Sequence, residues 1–156
     1  MEGRMIKGQI GVIGGAQCPQ EVYEIAREVG GEIARKRFSL VCGGLGGVME
    51  AACRGAKEVG GITIGILPTS DRRDANPYVD VVIPTGLGHA RNILVVHASD
   101  ALVAIDGEAG TLSEIAIALK VGKHLVGIRT WELEGRVPMA AGGREAIAML
   151  IGMLKE

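Results

Sequence analysis

The sequence predicts an α/β fold, a three-layer sandwich in which helices cover both faces of a mostly parallel sheet. Three observations predict it. Short aliphatic runs alternate with segments of helical period, each run is closed by Gly, Pro or Asp, and the runs are continuously apolar. Continuous runs are what strands covered on both faces require. Strand–helix alternation then implies right-handed crossovers and a parallel sheet. The 156 residues suit a single domain over 1–156 with a real core. With 47% apolar residues but 3% aromatic ones, that core is aliphatic.

The first strand is Ile10–Ile13, closed by Gly14 and Gly15, and Pro19 suits the first turn of the helix that follows. Val22, Ile25, Ala26, Val29 and Ile33 form one buried stripe at helical spacing. Gly30 and Gly31 interrupt it, each costing about 1 kcal/mol relative to Ala, so a bend or break is expected there. Ser39–Cys42 is the second strand, and it runs through Gly43–Gly47 into a helix over Val48–Glu58. Ile62–Leu67 and Val81–Ile83 are further strands, separated by a polar loop over Pro68–Asp80 long enough to serve as a lid. A helix over His89–Ala98 leads to the strand Ala101–Ile105. Thr111–Val121 is helical with Gly122 as its C-cap. Leu125–Ile128 is the last strand, and Ile147, Leu150, Ile151 and Leu154 mark the apolar face of a closing helix. The architecture is Rossmann-like, and ligands of such sheets bind beyond the carboxyl ends of the strands. Every glycine-rich turn here falls at that end.

Charge and cysteine content bound the function. Seventeen basic residues against eighteen acidic ones leave a net charge of -1, without the footprint of a nucleic-acid or membrane-surface binder. Neither an export signal nor an apolar run of membrane-spanning length is present. Cys18, Cys42 and Cys53 form no C-x-x-C pair, and an odd count reads as reduced thiols, so a cytoplasmic location is expected. His89, His97 and His124 have no metal-ligand spacing, and no Ser-His-Asp set can be assembled. Cys42, at a strand end, reads as a small buried residue and not as a nucleophile. Trp131 reads as a packing residue. The 25 glycines, about double the usual share of roughly 7%, suit tight turns and close approach to a ligand.

The strongest constellation is Asp106-Gly107-Glu108-Ala109-Gly110-Thr111-Leu112-Ser113-Glu114. A strand ends, a glycine turn exposes backbone N–H groups, and a helix begins, which together favour an anion such as a phosphate. Thr111-x-x-Glu114 equally fits a capping box, in which both side chains merely satisfy the helix start. Gly43–Gly47 and Gly14-Gly15 are further anion-cradle candidates. Neither is a P-loop nor a complete dinucleotide fingerprint, since Met49 stands where a third glycine is expected. Arg91 opens another helix, where a cation opposes the helix dipole unless an anion sits beside it. Its planar fork suits a phosphate or carboxylate.

Four segments carry a resemblance over nearly the whole chain: Val12-Ile13-Gly14-Gly15; Cys42-Gly43-Gly44 with Gly46-Gly47-Val48-Met49; Gly88-His89-Ala90-Arg91-Asn92; and Gly107-x-x-Gly110-Thr111-x-x-Glu114. In this order they resemble the LOG-like superfamily, also called lysine decarboxylase-like. The branch most resembled is that of the molybdenum cofactor carrier proteins. The LOG enzymes hydrolyse the N-glycosidic bond of nucleoside 5′-monophosphates, releasing base and ribose 5-phosphate. The resemblance implies a phosphate at Gly107, Gly110 and Thr111, a catalytic pair of Glu114 and Arg91, and nucleotide contacts from Gly14, Gly15, Gly43, Gly44 and Asn92. Glu114 would position water or stabilise an oxocarbenium-like sugar, with Arg91 holding the phosphate or ribose in register. Homo-oligomers, dimers or tetramers, are also implied.

The chain departs from the enzyme pattern. Asp106 and Glu108 stand where those enzymes have proline and glycine, which brings two carboxylates to a phosphate site, and Asn92 replaces a lysine. Three functions are therefore expected in order. The first is binding of a phosphorylated nucleotide-like molecule, AMP-like or a molybdopterin cofactor, with no cofactor needed for the fold. The second is phosphoribohydrolase activity through Glu114 and Arg91. The third is a scaffold or sensor with a vestigial site.

Overall fold

The computed structural model describes residues 5–155, and it consists of a six-stranded all-parallel sheet between two helical layers. The strands are β1 (Gln9–Gly14), β2 (Ser39–Cys42), β3 (Thr63–Leu67), β4 (Val81–Pro84), β5 (Ala101–Ile105) and β6 (His124–Ile128), in the order β4-β3-β2-β1-β5-β6. The helices are α1 (Gln20–Arg35), α2 (Val48–Glu58), α3 (Asn92–Ala98), α4 (Ala109–Val121) and α5 (Gly143–Leu154). The predicted sandwich is thus the observed one.

Alternate strand residues feed two aliphatic cores. Ile10 and Val12 of β1 pack with Ala26 and Val29 of α1, Val48 of α2 and Ile147 of α5. Ile13, with Leu102 and Ala104 of β5, packs on the other face with Val95 and Val96 of α3 and Ile115 and Ala118 of α4. Among the described residues, no helix is long and apolar enough to cross a membrane.

Four local expectations are corrected. Pro19 is the N-cap of α1 and lies one residue outside it. Gly30 and Gly31 neither bend nor break α1, which runs unbroken across them. Gly30 is there for packing: a Cβ on it would collide with the carbonyl of Ala52, and one on Gly55 with the carbonyl of Arg27, so the backbones of α1 and α2 touch directly, whereas a Cβ on Gly31 would meet only ordinary contacts. The expected helix over His89–Ala98 is a short 3-10 turn, Gly88–Arg91, followed by α3. The capping box also fails. α4 starts at Ala109 with Glu108 as N-cap, so Thr111 and Glu114 are helix-interior residues and no side chain caps the start. By contrast, Gly122 closes α4 in the left-handed conformation, as expected (φ 76).

Sheet order positions the site. β1 pairs with β2 on one side and with β5 on the other, so the winding reverses at β1. The register Gly14↔Ile105 brings the turns after β1 and β5 side by side at the sheet's carboxyl edge. A crevice opens there.

Candidate functional site

The crevice is a cleft of about 420 Å³ walled by the turns after β1 and β5, the first turns of α2 and α4, and the Gly88–Arg91 turn. It brings together eight of the ten residues singled out from sequence: Gly14, Gly15, Arg91, Asn92, Gly107, Gly110, Thr111 and Glu114. Gly43 and Gly44 do not line it. Gly44 faces β3, with its Cα side against Leu67 and Gly65. Gly43 lies behind Arg91, and a Cβ there would overlap the guanidinium.

The turn after β5 is a built platform. Asp106 (φ 50) and Gly107 (φ 90) both take the left-handed region, which Gly and, to a lesser degree, Asp tolerate. A side chain on Gly107 would also run into Thr111. The turn is pinned to its surroundings: Asp106 N donates to the Ile128 carbonyl at 3.0 Å, and Thr130 Oγ1 donates to the Asp106 carbonyl at 2.6 Å. With no side-chain cap on α4, the amides of Ala109, Gly110 and Thr111 keep the free donors that a helix start leaves. Gly110 faces open space. Ser113 Oγ donates to the Gly110 carbonyl at 2.7 Å and accepts from Asn92 Nδ2 at 3.0 Å. Asn92 therefore ties α3 to the first turn of α4 through its side-chain nitrogen.

The charged groups sit in unusual surroundings. Arg91 is 8% exposed, and its Nε is the one buried side-chain nitrogen or oxygen without a hydrogen-bond partner among the described residues. Arg91 is thus not a solvated arginine on an exposed helical turn. Burial lowers the Arg91 pKa, while the charge of Glu114 and, more weakly, Cys42 act to raise it. Glu114 is 6% exposed on the inner side of α4. Desolvation pushes its carboxyl up to about 7, with the Arg91 charge pulling the other way. Near neutral pH the cleft thus holds a cation and a carboxyl poised between its two forms. Asp106, half-buried, and Glu108, exposed, both line the cleft, so the two carboxylates absent from the LOG pattern do border the platform.

Gln17, Leu45, Met49 and His89 also line the cleft, and the sequence gives none of them a role in the site. Leu45 and Met49 belong to the Gly43–Gly47 segment and the first turn of α2, where the glycines drew attention instead of the side chains between them. Among the described residues, no group of three or more His, Cys, Asp or Glu side chains could hold a metal ion. Trp131 is 41% exposed and does not reach the cleft. The Pro68–Asp80 segment contributes no lining residue, and its Asp71 and Arg73 are paired with each other.

Comparison with known proteins places this geometry. The model of the SLOG cluster4 family matches residues 7–152. The molybdenum cofactor binding protein of the phototrophic bacterium Rippkaea orientalis superposes with a TM-score of 0.90 at 35% identity, covering 96% of this chain and 99% of that one. The molybdenum cofactor carrier protein of Chlamydomonas reinhardtii gives 0.87 at 37% identity, over 96% and 100% of the two chains. A cytokinin riboside 5′-monophosphate phosphoribohydrolase of Mycobacterium tuberculosis is 36% identical over 99 residues, 61% of this chain and 52% of that protein. The chain matches about half the length of that enzyme.

Proposed function

The chain belongs to the SLOG cluster4 family, and from that premise we propose that its cleft binds a phosphorylated, nucleotide-like small molecule, with a molybdopterin-type cofactor as cargo. One observation carries the reading: the uncapped start of α4 and the buried, incompletely partnered Arg91 border the same cleft. A free helix start and an arginine fork are complementary to one phosphate. The volume of about 420 Å³ is in the range of small-molecule sites. In this reading Gly107, Gly110 and Thr111 cradle the phosphate, the backbone of Gly14 and Gly15 walls the site at the end of β1, and Arg91 supplies the counter-charge. The likeness to a cofactor binding protein and a cofactor carrier protein supports the choice of cargo.

The test is a titration of the full chain with AMP, inorganic phosphate and molybdopterin cofactor, followed by calorimetry and by melting temperature. Tight binding of the cofactor with weaker binding of AMP supports the carrier reading. If none of the three raises the melting temperature, binding is refuted, and the scaffold or sensor reading takes its place.

A second reading is N-glycosidic hydrolysis of nucleoside 5′-monophosphates. Glu114, poised near pH 7 inside the cleft, favours it, as does the likeness to a phosphoribohydrolase. Release of free adenine from AMP, lost in Glu114→Gln, would establish it. Assembly with further copies of the chain, as a dimer or tetramer, goes with either reading. Exposed Val81 and Ile83 on the edge strand and Ile93 and Leu94 on α3 offer apolar surface for it, and sedimentation velocity measures the outcome. Either role suits a cytoplasmic location.

A further inference from the structure

Outside the cleft's lining lies a second chemical pair. Cys42 ends β2 and Cys53 lies in the middle of α2, and both are fully buried. Their sulfurs are 3.5 Å apart, a thiol–thiol contact, and the Gly44 amide donates to Cys42 Sγ at 3.3 Å. A disulfide bond is about 2.05 Å long, so bonding requires a short approach across an existing contact. The two cysteines bracket the Gly43–Gly47 turn together with Leu45 and Met49 of the cleft wall. Gly43 is in turn the residue against which the Arg91 guanidinium packs.

We propose that Cys42 and Cys53 form a reversible disulfide, and that closing it shifts the Gly43 seat of Arg91 and thereby the wall of the cleft. The oxidant is hydrogen peroxide. The Cys42 thiolate, its proton lost to solvent, attacks one peroxide oxygen; the O–O bond breaks, hydroxide leaves, and a sulfenic acid forms on Cys42. The Cys53 thiol then attacks that sulfur, the S–S bond forms, the S–O bond breaks and water leaves with the Cys53 proton. The two thiols lose two electrons in all, and the peroxide is reduced to water. An added dithiol reverses the reaction by exchange. In contrast to the reading of its strand-end position, Cys42 is favoured as the attacking thiol: the hydrogen bond from Cys53, the Gly44 amide and the charge of Arg91 lower its pKa against burial and the charge of Glu114. The same contact and burial push Cys53 up, keeping it protonated until it attacks. Cys18, half-buried between β1 and α1, is the internal control.

The test uses the full wild-type chain, treated with hydrogen peroxide and then denatured in an alkylating reagent. Expected are loss of alkylation at Cys42 and Cys53 together, retained alkylation at Cys18, and a 42–53 linked peptide that dithiothreitol removes. In nitrogen-15 spectra the Arg91 side-chain Nε–H and the Gly43 and Gly44 amides shift on oxidation and return on reduction, a readout that requires no ligand. In Cys53→Ala the peptide and the reversible shifts are absent. Oxidation confined to Cys18, or a 42–53 link that leaves the Arg91 signal unmoved, overturns the proposal.

Discussion

The guanidinium of Arg91 occupies the space that a side chain on Gly43 would fill: a Cβ there would lie 2.9 Å from Arg91 Cζ and 2.9 Å from Met49 Sδ. Gly43 is thus a contour under a charged group, not a ligand contact. In Gly43→Ala the arginine must leave its seat, and AMP affinity is expected to fall at least tenfold by calorimetry. Because the atoms met belong to side chains that can move, the fold survives. Gly30→Ala is the contrasting variant. Its Cβ meets the backbone of Ala52, which cannot yield, and a loss of about 2 to 3 kcal/mol is expected in urea unfolding.

Glu114 makes stability depend on pH. Its carboxyl titrates at about 7 in the folded chain against an ordinary value of 4.5. Between those values the folded state holds a proton that the unfolded state has released, so stability falls as pH rises through this window and levels off above it. Glu114→Gln removes the dependence. The variant is expected to match the wild type near pH 4.5 and to exceed it at pH 8 by up to about 3 kcal/mol. Parallel unfolding curves at the two pH values would refute the assignment.

Arg91 and Glu114 act on each other through charge. Replacing Arg91 by Met removes the cation that lowers the Glu114 pKa, so the Glu114 midpoint is expected to move above 7 in carboxyl carbon-13 spectra. AMP affinity falls at the same time by roughly tenfold or more, the value of a charge-assisted hydrogen bond. An unchanged midpoint would place the two groups in separate electrostatic environments.

Glu108 is the N-cap of α4 without capping it, and its carboxylate borders the platform. Neutralising it in Glu108→Gln is expected to tighten phosphate and AMP binding severalfold at low salt. The gain should shrink as ionic strength rises, since the residue is exposed. Equal affinity at all salt concentrations would mean that Glu108 points away from the bound anion.

Much of this was legible in the residues themselves. The runs Ser39–Cys42 and Ala101–Ile105 are strands with the predicted bounds, because continuous aliphatic runs flanked by glycine or aspartate leave little ambiguity. The start of α4 was misplaced because Thr-x-x-Glu has the form of a capping box. Asp106 and Gly107 turn left-handed early enough for the helix to begin at Ala109 instead. The unbroken α1 was missed because the cost of glycine in a helix is local, while its reason, contact with the α2 backbone, is tertiary. Burial of Arg91 and the raised pKa of Glu114 depend on the sheet order, which no single segment encodes. The proximity of Cys42 and Cys53 likewise needs α2 to fold back over β2.

The seam between β1 and β5, where Ile10 meets Ala101 and Gly14 meets Ile105, also constrains the order in which the molecule assembles. β1, β2 and the helix between them can pair through nearby sequence, but β5 reaches β1 only after most of the chain has closed a long loop. Closures of this kind slow folding. Since the cleft straddles that seam, it cannot form before that long closure is made. Its ligand would then slow unfolding far more than it speeds folding.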